Sequence, residues 1–220
     1  MNEQIYTIPI NESFERQDGC PFCHLHETLQ GQSIDYVLGA AMMEPNVRIE
    51  TNKRGFCKPH YTALCAKNNR LSLALLLESH VDELTTLLAA QATDTKRGLK
   101  TLQDLQDSCF ICERIALFMG HFYRNTAYLY RNEPAFAALF DKQPYFCLEH
   151  LSAFLTVAQA ELSKKEFPAL YAACLQKAAQ HLKVTKDNVS EFCRSYDYRA
   201  AGQPLSEAAQ KSIENAIAAL

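Results

Sequence analysis

The sequence predicts an all-α fold built from two tandem pseudo-repeats of one helical unit, followed by a C-terminal helix. The 220 residues include only seven glycines and eight prolines, whereas Ala and Leu are abundant. This composition favours helices over a sheet joined by tight turns. Two further observations support the prediction: apolar residues recur at helical spacing, and a cysteine and histidine pattern occurs twice.

Two apolar stripes carry the helical periodicity. They cover residues 73–88 and residues 151–162, where apolar side chains recur at steps of three and four. Each stripe lies near a CxxH pair, so we expect each CxxH pair at the start of a helix. Polar runs at residues 67–70 and 163–165 should kink or end a helix in each half.

The remaining helices are placed by the CxxC pairs and by a capping residue. Each CxxC pair leads into a helix, predicted at residues 24–40 and 113–131. The last helix begins near Ser206, which is suited to an N-cap position, and runs to the C-terminus. Residues 93–100 are interpreted as a linker, and residues 47–50 alternate as a short extended segment would.

The cysteine and histidine pattern reveals an internal repeat. In each half a CxxC pair is followed by a CxxH pair, at offsets of 89 and 90 residues between the two copies. A Glu-Pro pair recurs at the 89-residue offset, and a phenylalanine precedes the third cysteine both times. This indicates duplication of one structural unit. The residues of the pattern are Cys20, Cys23, Cys57, His60, Cys109, Cys112, Cys147 and His150.

The repeat also suggests the domain organisation. The first CxxC…CxxH repeat is expected at residues 15–95 and the second at residues 100–195. The C-terminal helix, residues 196–220, is expected to pack on both, so that the chain forms one compact domain.

The spacing predicts that each copy closes one metal site with its own four ligands. A CxxC turn presents two thiolates to one ion, and residues three apart on a helix face the same way. A helix N-terminus offsets the negative charge of three thiolates. The sequence therefore predicts Cys20, Cys23, Cys57 and His60 around one ion, and Cys109, Cys112, Cys147 and His150 around another.

Two Zn²⁺ ions are the expected occupants, and an iron–sulfur cluster is the alternative. Both suit thiolate-rich sites, but clusters are usually held by cysteine alone. The CxxCH run ending at His24 also fits haem attachment, yet the second copy has Glu113 in place of that histidine. A glutaredoxin-type redox pair would require a βαβ context, which the helical pattern does not provide.

The other cysteines and histidines are interpreted as ordinary structural residues. Cys65, Cys174 and Cys193 lack ligand-type counterparts in the other copy and are expected in the core. His24 and His26 are interpreted as exposed helix residues, with a supporting or substitute role at the first site as the alternative. The same surface or satisfied-core interpretation applies to His80, His121 and His181.

A charged segment marks a candidate patch for a ligand or partner. Residues 48–54 are rich in charge, whereas the matching segment of the second copy is bland. A second polar and aromatic cluster lies just before the last helix. The alternatives are a solvated loop and helix packing, respectively. The candidate patch residues are Arg48, Glu50, Asn52, Tyr198 and Arg199.

Composition disfavours several classes of function. The net charge is −3, whereas nucleic-acid binders usually carry a basic excess, so the composition disfavours a nucleic-acid partner. No long apolar run predicts a membrane span, and the start of the chain does not read as a secretory signal. Nine cysteines then indicate metal chemistry in the cytoplasm. No nucleophile–base pair, phosphate loop or HExxH motif is present, which argues against an enzyme.

Five runs of the sequence form a specific set of motifs: CPFCHLHE, MEPNVRIETNKRGFCKPHYTAL, CFICERI, YFCLEHL and YDYR. Together they resemble a bacterial family of unknown function found mainly in clostridia and their relatives. The resemblance spans about residues 18–220, and it implies that the Cys/His pattern is a family feature. It supplies no activity, and the sequence does not support the transporter label of some members.

The sequence therefore predicts a cytoplasmic zinc-binding helical protein that acts as a binding or regulatory module. The alternative is a redox- or metal-sensing protein with labile zinc–thiolate or iron–sulfur sites. An enzyme with a pocket at the charged patch remains a third class. The partner would be a protein or a small molecule, and the oligomeric state is open.

Overall fold

The computed structural model describes residues 4–197 and 204–220, and its regular secondary structure in these ranges is helical, which confirms the all-α prediction. Short 3-10 helices occupy Gln4–Tyr6 and Ala40–Met43. The α-helices are α1 (Thr7–Glu15), α2 (Pro21–Leu38), α3 (Pro45–Arg54), α4 (Lys58–Ala66), α5 (Arg70–Gln91), α6 (Thr95–Gln106), α7 (Phe110–Asn132), α8 (Pro134–Asp141), α9 (Leu148–Glu161), α10 (Phe167–Arg194), α11 (Glu207–Gln210) and α12 (Ser212–Ala219).

Helix starts follow the expected capping chemistry. The side chain of Asn69 accepts a hydrogen bond from the Ser72 amide at 3.3 Å, so the polar run after α4 caps α5. Ser206 accepts from the Ala209 amide at 3.1 Å, which confirms the predicted start of the last helical segment. Helices α3 and α8 both begin at a proline, whose fixed φ suits the first helical position.

Two local expectations are wrong. The supposed linker at residues 93–100 lies mostly in α6, because Asp94 accepts from the Arg97 amide at 3.0 Å and starts a helix there. Residues 47–50 are not extended; they belong to α3, which Pro45 initiates. In both cases a residue at the helix start favours the helix: the Asp94 cap for α6, and Pro45 at the first position of α3.

The chain forms two compact units whose boundaries differ from those of the sequence repeat. The terminal unit comprises Met1–Leu25 with Gly120–Leu220, and the central unit comprises His26–Met119. The chain passes from one unit to the other within α2 and again within α7. The predicted division at residues 95–100 and 195–196 follows the duplicated motifs rather than these units.

An aromatic cluster forms much of the core of the terminal unit. Phe22 is fully buried, and its ring centroid lies 5.1 Å from that of Tyr123, 5.2 Å from Phe154 and 5.7 Å from Phe146. Aromatic pairs at these separations add to the free energy gained from burial. The cluster also contains Phe14, Phe136 and Phe140.

In the central unit, α3 and α4 pack against α5. Leu64, Leu73 and Leu76 are buried there, so the apolar stripe of α5 is used only near its start. No residue of α6 is buried. Across the described residues, no helix is both long and apolar enough to cross a lipid bilayer.

The prediction for the three other cysteines holds for one of them. Cys174 is buried on α10, and burial raises the pKa of its thiol to about 12. Cys65 and Cys193 are exposed, so the expectation of core positions is wrong for both. Each lies in the last turn of its helix, and Cys65, which follows the buried Leu64, lies on the solvent-facing side of α4.

Replacing Phe22 by alanine should lower the free energy of unfolding by about 3–5 kcal/mol, because it leaves a cavity inside the aromatic cluster. The control is Leu117→Ala, which truncates a side chain that is 61% exposed and should change that free energy by less than about 0.5 kcal/mol. Urea denaturation measures both. Similar losses from the two variants would contradict the described core.

Candidate metal centres

The cysteine and histidine ligands lie at the first turns of four helices. Cys57 and Cys147 occupy the N-cap positions of α4 and α9. Cys20 and Cys109 directly precede α2 and α7. The unpaired N–H groups and the positive dipole end of each helix therefore face a group of thiols.

The terminal site consists of Cys20, Cys23, Cys147 and His150, all within the terminal unit. The sulfurs of Cys23 and Cys147 lie 3.6 Å apart. His150 Nδ1 lies 3.1 Å from the Cys147 sulfur and 3.3 Å from the Cys23 sulfur. The four ligand atoms are within 4.8 Å of one another and can hold one metal ion.

The central site consists of Cys57, His60, Cys109 and Cys112, all within the central unit. His60 Nδ1 lies 3.1 Å from the Cys57 sulfur, 3.3 Å from Cys109 and 3.4 Å from Cys112. The Cys57 and Cys112 sulfurs are 3.7 Å apart. This group likewise can hold one ion.

The grouping predicted from the sequence is wrong, although its eight residues are those brought together. Each site takes its CxxC pair from one copy of the repeat and its CxxH pair from the other. Cys23 and Cys147 are 124 positions apart in the chain, and His60 and Cys109 are 49 apart. Motif spacing limits which pairs act together, but it cannot say which CxxH pair a given CxxC pair meets.

The ligand separations are of the size expected around one tetrahedral metal ion. For a zinc ion, for example, bonds of about 2.3 Å to sulfur and about 2.0 Å to nitrogen place tetrahedral S···S pairs about 3.8 Å apart and S···N pairs about 3.5 Å apart. The observed S···S distances of 3.6 and 3.7 Å agree closely. The S···N distances of 3.1–3.4 Å are slightly shorter. Both histidines face the sulfurs with Nδ1, so the coordinating nitrogen is the same in the two sites.

Protons are shared among the ligands of the terminal site. Hydrogen bonds with Cys147 and Cys20 raise the pKa of the Cys23 thiol, and hydrogen bonds from Cys20 and Cys23 lower the pKa of Cys147. Burial opposes protonation of His150, but its hydrogen bonds with Cys147 and Cys20 prevail and raise its pKa to about 10. A metal ion must displace these protons, so its affinity falls as the pH falls.

The two sites differ in exposure to solvent. In the terminal site Cys20 and Cys147 are buried and Cys23 is half-buried. In the central site Cys109 is buried, Cys57 is half-buried and Cys112 is exposed. The sulfurs of the central site are therefore more accessible to reagents in solution.

Gly55 shapes the backbone that leads into the central site. Its φ of 58° and ψ of −153° lie in a region that is essentially restricted to glycine. Its carbonyl accepts a hydrogen bond from the Phe110 amide at 3.0 Å, and Ser108 Oγ donates to the Arg54 carbonyl at 2.5 Å. These contacts join the segment before Cys57 to the segment around Cys109.

Sequence reasoning missed Gly55 and Ser108 as supports of the site. The available signal was position: each lies one or two residues before a cysteine of the pattern. The long-range hydrogen bonds that use them have no signature in the local pattern.

The charged segment at residues 48–54 is helix α3 rather than a loop. Arg48 donates to the Leu75 carbonyl at 3.0 Å and to the Ser79 hydroxyl at 2.7 Å. Ser79 in turn donates to Asn52 Oδ1 at 2.8 Å. Arg48 and Asn52 thus hold α3 on α5, and their use as a partner patch stays a prediction.

Of the other candidate patch residues, Glu50 forms an ion pair, and two lie outside the residues that the structure describes. Glu50 pairs with Arg54, which also contacts Glu113 at 2.7 Å. Tyr198 and Arg199 lie outside the described residues.

The remaining histidines are not ligands in either group, and His24 and His26, which were expected to be exposed, are half-buried. His24 lies 2.8 Å from Asp18, and the His181 ring stacks on Tyr145 at 3.9 Å. His80 Nδ1 contacts the Asn52 carbonyl at 2.6 Å, and His121 stacks on Tyr6.

Replacing Gly55 by alanine should lower the free energy of unfolding by about 1–3 kcal/mol, because alanine is strained at this positive φ. The added Cβ would also overlap the ring of His80. The control is Gly31→Ala in α2, where no atom beyond the adjacent residues and the local helix backbone lies within 4 Å of the new methyl group. It should stabilise the protein by about 0.5–1 kcal/mol. Thermal denaturation of both variants checks the opposite signs, and two stabilising effects would refute this view of Gly55.

Comparison with known proteins confirms the resemblance seen in the sequence. A relative named "Uncharacterized 23.9 kDa protein in xynA 3'region", from Caldicellulosiruptor sp. (strain Rt8B.4), is 23% identical over 172 residues, covering 78% of this chain and 83% of the relative. No solved structure matches the chain. The family described as "Family of unknown function (DUF6062)" matches residues 1–220. The chain therefore belongs to this family of unknown function, DUF6062.

Proposed function

We propose that the chain is a zinc-binding helical protein that acts as a binding or regulatory module and holds one Zn²⁺ ion in each site. The observation that carries this proposal is the convergence of three sulfurs and one imidazole nitrogen in each group, at separations that suit tetrahedral zinc. Iron–sulfur clusters are usually held by cysteine alone, so a histidine in both groups favours zinc.

The two ions would serve folding. Each site joins the first turns of two helices that are distant in the chain: α2 with α9, and α4 with α7. Without an ion, bringing three thiols and an imidazole together contributes little to the stability of the fold. Binding a structural zinc ion contributes about 10–16 kcal/mol in small zinc domains, which exceeds the whole stability of many proteins.

A binding role follows from the closure of the sites. Four protein ligands leave no open position for the water or substrate that a catalytic zinc ion requires. The protein would therefore act through a surface, with a protein or a small molecule as its partner. Nine free cysteines suit a reducing compartment such as the cytoplasm.

A second candidate function is sensing of oxidants or metals through a labile zinc–thiolate site. The exposure of Cys112 in the central site favours it, because an accessible ligand can react or exchange. An iron–sulfur version of this candidate predicts visible absorption, whereas zinc protein is colourless.

Protein expressed without added metal should contain two zinc atoms per chain by elemental analysis.

Removal of the zinc by a strong chelator should reduce the helical signal in circular dichroism and lower the melting temperature, because each ion stabilises only the folded chain. Lowering the pH should also release zinc, because protons compete with the ion for the thiolate and imidazole ligands.

The control is a Cys65→Ser variant, which alters an exposed cysteine outside both sites and should retain two zinc atoms. Metal-free protein that keeps its fold and melting temperature would contradict the proposal. Bound iron together with visible absorption would show that the sites hold an iron–sulfur cluster instead of zinc.

A further inference from the structure

A ligand of the central site is exposed to solvent, whereas the cysteines of the terminal site are buried or half-buried. Around the terminal site, Phe22 lies between the cysteines of the CxxC pair, Phe146 precedes Cys147, and both rings belong to the buried aromatic cluster. The corresponding residues of the central site are Ile111 and Phe56, which are also buried. The difference lies in the ligands themselves, since Cys112 is the one exposed ligand of the eight.

A suitable reaction partner for Cys112 lies next to it. The half-buried Cys57 places its sulfur 3.7 Å from the sulfur of Cys112. A disulfide bond has a length of about 2.05 Å, so these sulfurs need to approach by less than about 2 Å. Cys109, the third cysteine, is buried, and its sulfur faces the Cys112 amide at 3.5 Å.

We propose that Cys57 and Cys112 form an oxidation site, at which a hydroperoxide produces a disulfide and the central site loses its metal ion. This inference rests on the proposed function, since it requires zinc in the central site. Zinc keeps its cysteine ligands in the thiolate form, which is the nucleophilic form. The exposed thiolate of Cys112 is therefore the one that meets the oxidant first.

The chemistry balances with hydrogen peroxide as the oxidant. The Cys112 thiolate attacks one peroxide oxygen, the O–O bond breaks, and a sulfenic acid and hydroxide form. The Cys57 thiolate then attacks the Cys112 sulfur, the S–S bond forms, and a second hydroxide leaves. Two protons from solvent convert both hydroxides to water. The two sulfurs together lose two electrons, and the peroxide gains them.

The disulfide removes half of the ligands of the central site. Only His60 and Cys109 remain, which is too few for a closed tetrahedral site. The terminal site has a sulfur pair at a similar distance, Cys23 and Cys147 at 3.6 Å, but Cys147 is buried. Proximity of sulfurs is thus common to both sites, and accessibility distinguishes them.

The test uses full-length protein with Cys65→Ser and Cys193→Ser, which remove the exposed thiols outside the sites. Zinc content is measured first and should be two per chain. One equivalent of hydrogen peroxide is then added, released zinc is followed with a chromogenic chelator, and disulfides are mapped by mass spectrometry. We expect release of one zinc per chain together with a Cys57–Cys112 disulfide, and recovery after a dithiol and zinc are supplied.

A matched pair of variants separates accessibility from general lability. Cys112→His keeps a zinc ligand but removes the exposed thiolate, so peroxide should no longer release zinc. Cys23→His makes the same change in the terminal site and should leave the release of one zinc unchanged. If Cys112→His fails to fold, the disulfide map of the parent protein still decides.

The outcomes distinguish the two proposals. Protein that holds two zinc atoms and keeps both after peroxide treatment overturns the oxidation site and leaves the proposed function standing. Equal release from both sites, or a disulfide between Cys23 and Cys147, also overturns it. Protein purified without any zinc overturns the proposed function, and the oxidation site with it.

Discussion

The fold depends on the exchange of ligand pairs between the two halves of the sequence. Each site combines the CxxC pair of one half with the CxxH pair of the other, so the ligands of one site enclose those of the other along the chain. All four pairs lie at helix N-termini, where unpaired N–H groups and the helix dipole offset the charge of clustered thiolates. Helices α2, α4, α7 and α9 each begin at one of these pairs. These helices carry most of the buried aromatic and aliphatic residues around the sites.

Chain entropy does not decide between exchanged and tandem grouping. In the tandem arrangement the half-sites would lie 34 and 35 positions apart in the chain, against 124 and 49 positions in the structure. Each doubling of a loop costs only about 0.6 kcal/mol, so the exchange costs about 1–2 kcal/mol in total. Packing offsets this easily. Phe22 contacts Phe146 and Phe154 beside the terminal site, and the Gly55 carbonyl accepts from the Phe110 amide beside the central one.

The parts of this structure that could be predicted from the sequence are those set by local chemistry. The starts of α4 and α9 at the CxxH pairs and the cap at Ser206 depend on neighbouring residues, and they were predicted. The eight cysteines and histidines that converge in two groups followed from the repeat. Their grouping depends on long-range contacts such as Phe22 with Phe146, which spacing does not encode. Cys65 illustrates a smaller failure: its counterpart Leu155 is buried, but Cys65 itself is exposed.

The most direct test of the exchanged grouping is NMR of protein in which both sites hold a magnetically active cadmium isotope. Scalar coupling between each cadmium nucleus and the cysteine β-protons shows which cysteines bind the same ion. We expect one cadmium resonance to couple to Cys20, Cys23 and Cys147, and the other to Cys57, Cys109 and Cys112. A cadmium resonance coupled to Cys20, Cys23 and Cys57 together would contradict the exchanged grouping.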